Sequence, residues 1–70
     1  MGNRVREYRE RAGLSQVELS RRARLAAPNL SEIENSKRVA WPLARMRLAR
    51  ALKCTEAELF PPEKRDQDAG

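Results

Sequence analysis

The sequence has no histidine and a single cysteine, Cys54. A lone cysteine has no internal disulfide partner. Without a Cys/His set the usual zinc site is excluded, and so is any histidine-based catalytic triad. Aromatic residues are nearly absent, with one Trp, one Tyr and one Phe, so the core has to be aliphatic. No apolar run approaches the length of a signal peptide or a membrane-spanning helix, and the chain reads as a soluble cytoplasmic protein. Nor is there a paired carboxylate, a nucleophile–base pair or a metal-ligand set. The expectation is therefore no enzyme, no cofactor, no metal and no small-molecule ligand. Seventy residues make one small domain, near the size at which a single core only just suffices and too small for a deep catalytic cleft.

What the sequence does have is positive charge, unevenly spread. Residues 1–53 hold 13 Lys and Arg against 5 Asp and Glu, whereas residues 54–70 hold 2 against 5. A basic body with an acidic end suits a polyanionic partner, although Arg-rich helix surfaces also serve solubility alone.

The apolar residues repeat with helical period. From Asn3, residues Val5, Tyr8 and Ala12 recur at spacings of three and four until Gly13 supplies a stop. "LSQVELSRRA" restarts with Ser15 as cap and Glu18 three residues on, a capping box, and continues inward through Leu19 and Ala23. "LAAPNLSEIENSKR" predicts a very short third helix with Leu30 and Ile33 inward and Pro28 tolerated in its first turn. Pro42 opens a fourth helix, predicted to place Leu43, Met46, Ala49 and Leu52 on one face. Thr55 and Glu58 make a second capping box for a one-turn fifth helix. Residues 61–70 lack a hydrophobic pattern and read as a disordered tail after a domain spanning residues 1–60. The fold class expected is all-α, a compact bundle of five helices.

A third helix this short is marginal in water and must be held by its neighbours. Only about four residues connect it to the second helix, too few for the two to pack antiparallel, so they cross steeply as a helix-turn-helix. Leu19, Ala23, Leu25, Leu30 and Ile33 would meet in the angle. The outer side of the third helix, with Asn29, Ser31 and Glu32, is left to project, and a projecting helix of this size fits a DNA major groove.

On the strings "NRVREYRERAGLSQVELS", "LSEIENSKR" and "LARALKCTEAELF" the sequence resembles the Xre family, the helix-turn-helix of phage repressor and Cro type, from Asn3 to Phe60 without a gap. The resemblance implies a sequence-specific, double-stranded DNA-binding transcriptional regulator of the lambda-repressor-like fold, acting as a homodimer. Gln16 matches the phosphate contact at the start of the second helix, and Asn35, Lys37 and Arg38 match the backbone clamp after the third. Base-reading positions fall on Ala27, Pro28, Asn29 and Glu32. Asn pairs with adenine and Glu accepts from cytosine, whereas Ala27 and Pro28 offer only small apolar contacts. Arg24 and Ser36 stand where the family usually has Gly in a left-handed conformation. Arg24 there is either a phosphate contact or a solvated side chain. Ala26 replaces the usual Ser or Thr cap. Arg9 and Glu34 match a structural ion pair between the first and third helices.

Two positions stay open. Cys54 reads as a small core residue. Trp41, beside Val39 and Ala40 and with Arg45 one turn on, either folds back onto its own core or, as in family dimers, forms a dimer interface with Val39 and Arg45. A competing function also stands: a protein-interaction module, antitoxin-like, that uses the same helices without operator binding.

Overall fold

How each helix starts and stops sets the positions of all the others. The computed structural model describes residues 3–61, and among them lie five helices and no strand: α1 Val5–Arg11, α2 Gln16–Ala23, α3 Ala27–Glu34, α4 Pro42–Leu52 and α5 Glu56–Leu59. This is the expected all-α arrangement. The tail expected from residue 61 onward lies outside the described residues apart from Pro61, which is exposed. No helix among the described residues is long and apolar enough to cross a membrane.

Both expected capping boxes are present. The Ser15 hydroxyl accepts from the Glu18 N–H at 3.0 Å while the Glu18 carboxylate accepts from the Ser15 N–H at 2.9 Å. Thr55 and Glu58 repeat the pattern at 3.1 and 2.9 Å. The Ser15 N–H bond holds the Glu18 carboxyl below its usual pKa. Helices α3 and α4 have no such cap, since Ala26 and Trp41 offer the N-terminal N–H groups no side-chain acceptor. Pro28 and Pro42 ease this by removing one donor from each first turn.

At the other ends, α1 to α4 all stop in one way. A residue in the left-handed region, Gly13, Arg24, Ser36 or Lys53, turns the chain. The next N–H then reaches back to a carbonyl in the last turn: Leu14 to Arg9 at 3.1 Å, Leu25 to Ser20 at 2.9 Å, Lys37 to Glu32 at 2.8 Å and Cys54 to Ala49 at 3.0 Å. Only Gly13 adopts this backbone freely. Arg24, Ser36 and Lys53 hold it at φ of 57°, 60° and 56°, each at a cost of about 1 kcal/mol.

These stops swing α3 across α2, and Leu19, Ala23, Leu30 and Ile33 fill the angle, fully buried, with Leu25 half-buried beside them. Helix α4 closes the other side, packing on α1, α2 and α5. Val5 and Leu59 complete a single aliphatic core.

Three expectations need correction. The inward face of α4 is Ala44, Leu48 and Ala49, while Leu43 and Met46 stay 43% and 36% exposed. Two overlapping apolar stripes run along this helix, and the one carrying two alanines lets α4 approach its neighbours closely. Ala12 is exposed at the end of α1, where the chain is already turning. Asn3 lies outside α1: its Oδ1 accepts from the Val5 N–H at 3.1 Å and its Nδ2 donates to the Ile33 carbonyl at 2.8 Å, tying the chain's start to α3. Cys54 is half-buried against the core, and burial pushes its thiol pKa up, as suits a packing residue.

Candidate nucleic-acid interface

Helix α3 has one side that is held and one that is presented. On the held side, the Glu34 carboxylate has no solvent exposure and is surrounded by donors. Arg9 reaches it twice, Nε to Oε2 at 2.7 Å and Nη2 to Oε1 at 3.2 Å. Gln16 Nε2 donates to Oε1 at 3.0 Å, and Arg6 Nε approaches the same oxygen at 3.6 Å. The third Arg9 nitrogen, Nη1, donates to the Leu14 carbonyl at 3.0 Å. One carboxylate thereby joins α1, the first residue of α2 and the last of α3. Its hydrogen bonds raise the Arg9 pKa further above its usual value, so the guanidinium stays charged throughout.

Gln16 is half-buried by this arrangement. Its amide nitrogen carries a second hydrogen and stands at the N-terminus of α2, where free N–H groups and the helix dipole favour an anion.

The presented side is set by the opposite face of the same helix. Pro28 is exposed there and Asn29 is half-buried at its edge, while Ala27, seven residues before Glu34 and so on the held side, is half-buried at the start of the helix. Glu32 is not free: its Oε1 accepts from Arg38 Nε at 2.7 Å, with both side chains close to half exposed. The pair links the face of α3 to the loop that follows it. Lys37 is exposed in that loop. Asn35 is exposed too, its Oδ1 accepting from Arg6 Nη2 at 2.8 Å. Arg24 is exposed at the turn before α3, and its carbonyl accepts from Arg47 Nη1 at 3.4 Å. Ala27, Pro28, Asn29, Glu32, Lys37 and Arg38 therefore share α3 and its exit loop, with Gln16 and Asn35 at the two ends of the Glu34 network. Arg24 stands apart, nearer α4.

The loop ahead of α4 divides its residues. Ala40 is the one that enters the core, while Val39 is 81% and Trp41 36% exposed. Arg45 is occupied within the chain, its Nε donating to the Ala40 carbonyl at 3.3 Å and its guanidinium 5.6 Å from the centre of the Phe60 ring.

Sequence reasoning passed over Arg6, Asn3 and Arg47. Arg6 was accessible in principle: it precedes Arg9 by three residues, so both lie on one face of α1, and a partner for Arg9 at Glu34 puts Arg6 beside residue 35. Asn3 and Arg47 bond to backbone carbonyls distant in sequence, which no local pattern signals.

The sequence model of the family described as "Helix-turn-helix domain" matches residues 1–59, the whole of α1 to α5. No curated protein matches the chain.

Proposed function

The chain belongs to the helix-turn-helix domain family, and from that premise we propose that it is a cytoplasmic, sequence-specific regulator of Xre type that lays α3 in the major groove of double-stranded DNA. The observation that carries this reading is the division of α3. A helix of eight residues is clamped at its last residue by a buried carboxylate, while on the opposite side Pro28 is exposed and Glu32 pairs with Arg38 near the surface. Clamping matters because a free helix of this length would not persist, and a reader has to arrive already shaped.

In this reading Asn29 pairs with adenine and Glu32 reaches a base edge, with Ala27 and Pro28 in apolar contact, for instance with a thymine methyl. Gln16, Arg24, Asn35, Lys37 and Arg38 hold phosphates. The Arg38 bond occupies only Oε1 of Glu32, so Oε2 is left to accept from a cytosine amine while the remaining Arg38 N–H groups reach a phosphate. With so few polar readers, one copy touches too few base pairs to select a site. Two copies related by a two-fold axis through the Val39–Arg45 region, with Trp41 as its apolar centre, place half-sites about 34 Å apart.

The test is duplex binding as a function of salt. Affinity should fall steeply with salt, and Lys37→Ala should weaken all duplexes alike while lowering the slope of log affinity on log salt by about 1. Weak binding that does not distinguish sequences would support the protein-interaction module instead.

A further inference from the structure

Helix α4 has an apolar surface that the core does not use. Leu43 and Met46, three residues apart on it, line a groove of about 530 Å³ between α4 and the end of α2. The groove is open because Ala23 and Ala51, which also line it, are small. Its rim is cationic, with Arg22 and Arg24 on one side and Arg47 and Arg50 on the other. The ion pairs among the described residues lie elsewhere, on Glu7, Glu32 and Glu34. Glu18, one turn before Arg22, is engaged in its capping box.

We propose that this groove docks an acidic amphipathic segment of a partner protein, with its apolar side chains on Leu43 and Met46 and its carboxylates on the four guanidinium groups. The pairing follows from chemistry. Guanidinium forks match carboxylates in bidentate geometry, and the apolar side chains lining the groove gain only from a cover that excludes water. A second copy of this chain is a poor occupant, since an isologous contact would set the same four arginines against one another. A DNA backbone would satisfy the arginines yet leave Leu43 and Met46 against hydrated phosphate. An amphipathic helix laid in a groove meets both demands at once. Only Arg24 is shared with the positions assigned to phosphate, so the groove is separate from the reading face of α3.

The test uses a fluorescein-labelled, end-blocked helical peptide of roughly 16 residues, with Leu at i, i+3, i+4 and i+7 and Glu on the remaining face. A control of equal charge carries Ser for Leu. By fluorescence anisotropy the Leu peptide should bind at least about tenfold more tightly than the control. Leu43→Asp should cost the Leu peptide about tenfold more than it costs the control, which feels only the added negative charge. Arg47→Glu combined with Arg50→Glu should weaken both peptides. Met46→Ser repeats the apolar arm if Leu43→Asp disturbs the circular dichroism spectrum. No binding of the Leu peptide, equal binding of both peptides, or indifference to the Leu43 and Met46 changes would overturn the proposal. Loss of duplex affinity in the double arginine variant, with peptide binding intact, would give the groove to nucleic acid instead.

Discussion

Glu32 and Glu34 are two residues apart on one short helix and have opposite fates. Glu34 is buried and accepts from Arg9 and Gln16; Glu32 is half in solvent and accepts from Arg38 alone. Both are carboxylates paired with arginine at 2.7 Å, so distance does not separate them. Surroundings do. A pair kept from water leaves an uncompensated charge when one partner is lost, whereas a surface pair is replaced by water and salt at little cost. One side of α3 is therefore committed to structure, and the other can change partners.

The contrast is broken most directly by making the same substitution at both sites. Glu34→Ala should destabilise the domain by roughly 3–5 kcal/mol, enough to unfold much of it, because Arg9 is left largely buried without its partner. Glu32→Ala should move the melting free energy by less than about 0.5 kcal/mol. Chemical denaturation of the two variants side by side checks both figures, and equal losses would erase the distinction between the faces.

Smaller effects sharpen the account of how α3 is held in place. The entry to α3 carries two local costs. Arg24→Gly relieves the left-handed backbone before it, and Ala26→Ser supplies the absent cap. Each should raise stability by about 1 kcal/mol, read from the denaturation midpoint. A gain in stability from Arg24→Gly together with a loss of duplex affinity would fit a phosphate role for the arginine.

The smallest effect is on pH. The Glu18 carboxyl is held below its usual pKa by its capping bonds, so its contribution is complete above the ordinary carboxylate range. It is lost as pH falls through the lowered value. Amide protection in the first turn of α2, taken relative to the exchange rate of an unstructured chain at the same pH, should fall in that acid range before the rest of the domain responds.

These contrasts also show which parts of the molecule local sequence can reveal. Capping residues act on atoms three positions away, so Ser15 with Glu18 and Thr55 with Glu58 were legible without any fold. The angle between α2 and α3 was legible because a connection of a few residues admits only a steep crossing. The inward face of α4 was not. Leu43 and Met46 satisfy helical periodicity as well as Ala44 and Leu48 do, and only the packing of small residues against α1 and α2 decides between them. The tie of Asn3 to Ile33 and the partnership of Glu32 with Arg38 were hidden for the same reason, since both join residues whose nearness is made by the fold. The candidate DNA-contacting positions rest on a resemblance, and the structure adds that most of them lie on or beside α3.

In the proposed reading the presented face of α3 recognises DNA sequence while the held face keeps it in shape. Selection of preferred duplexes from a random pool, run in parallel on the wild-type chain and on Asn29→Ala, tests this most directly. The wild type should enrich a two-fold-symmetric site with half-sites one helical turn apart. The variant, with unchanged melting, should lose preference at one position in each half-site, worth roughly 1–3 kcal/mol. A wild-type pool that shows no enrichment, or a variant pool identical to the wild type's, would contradict it.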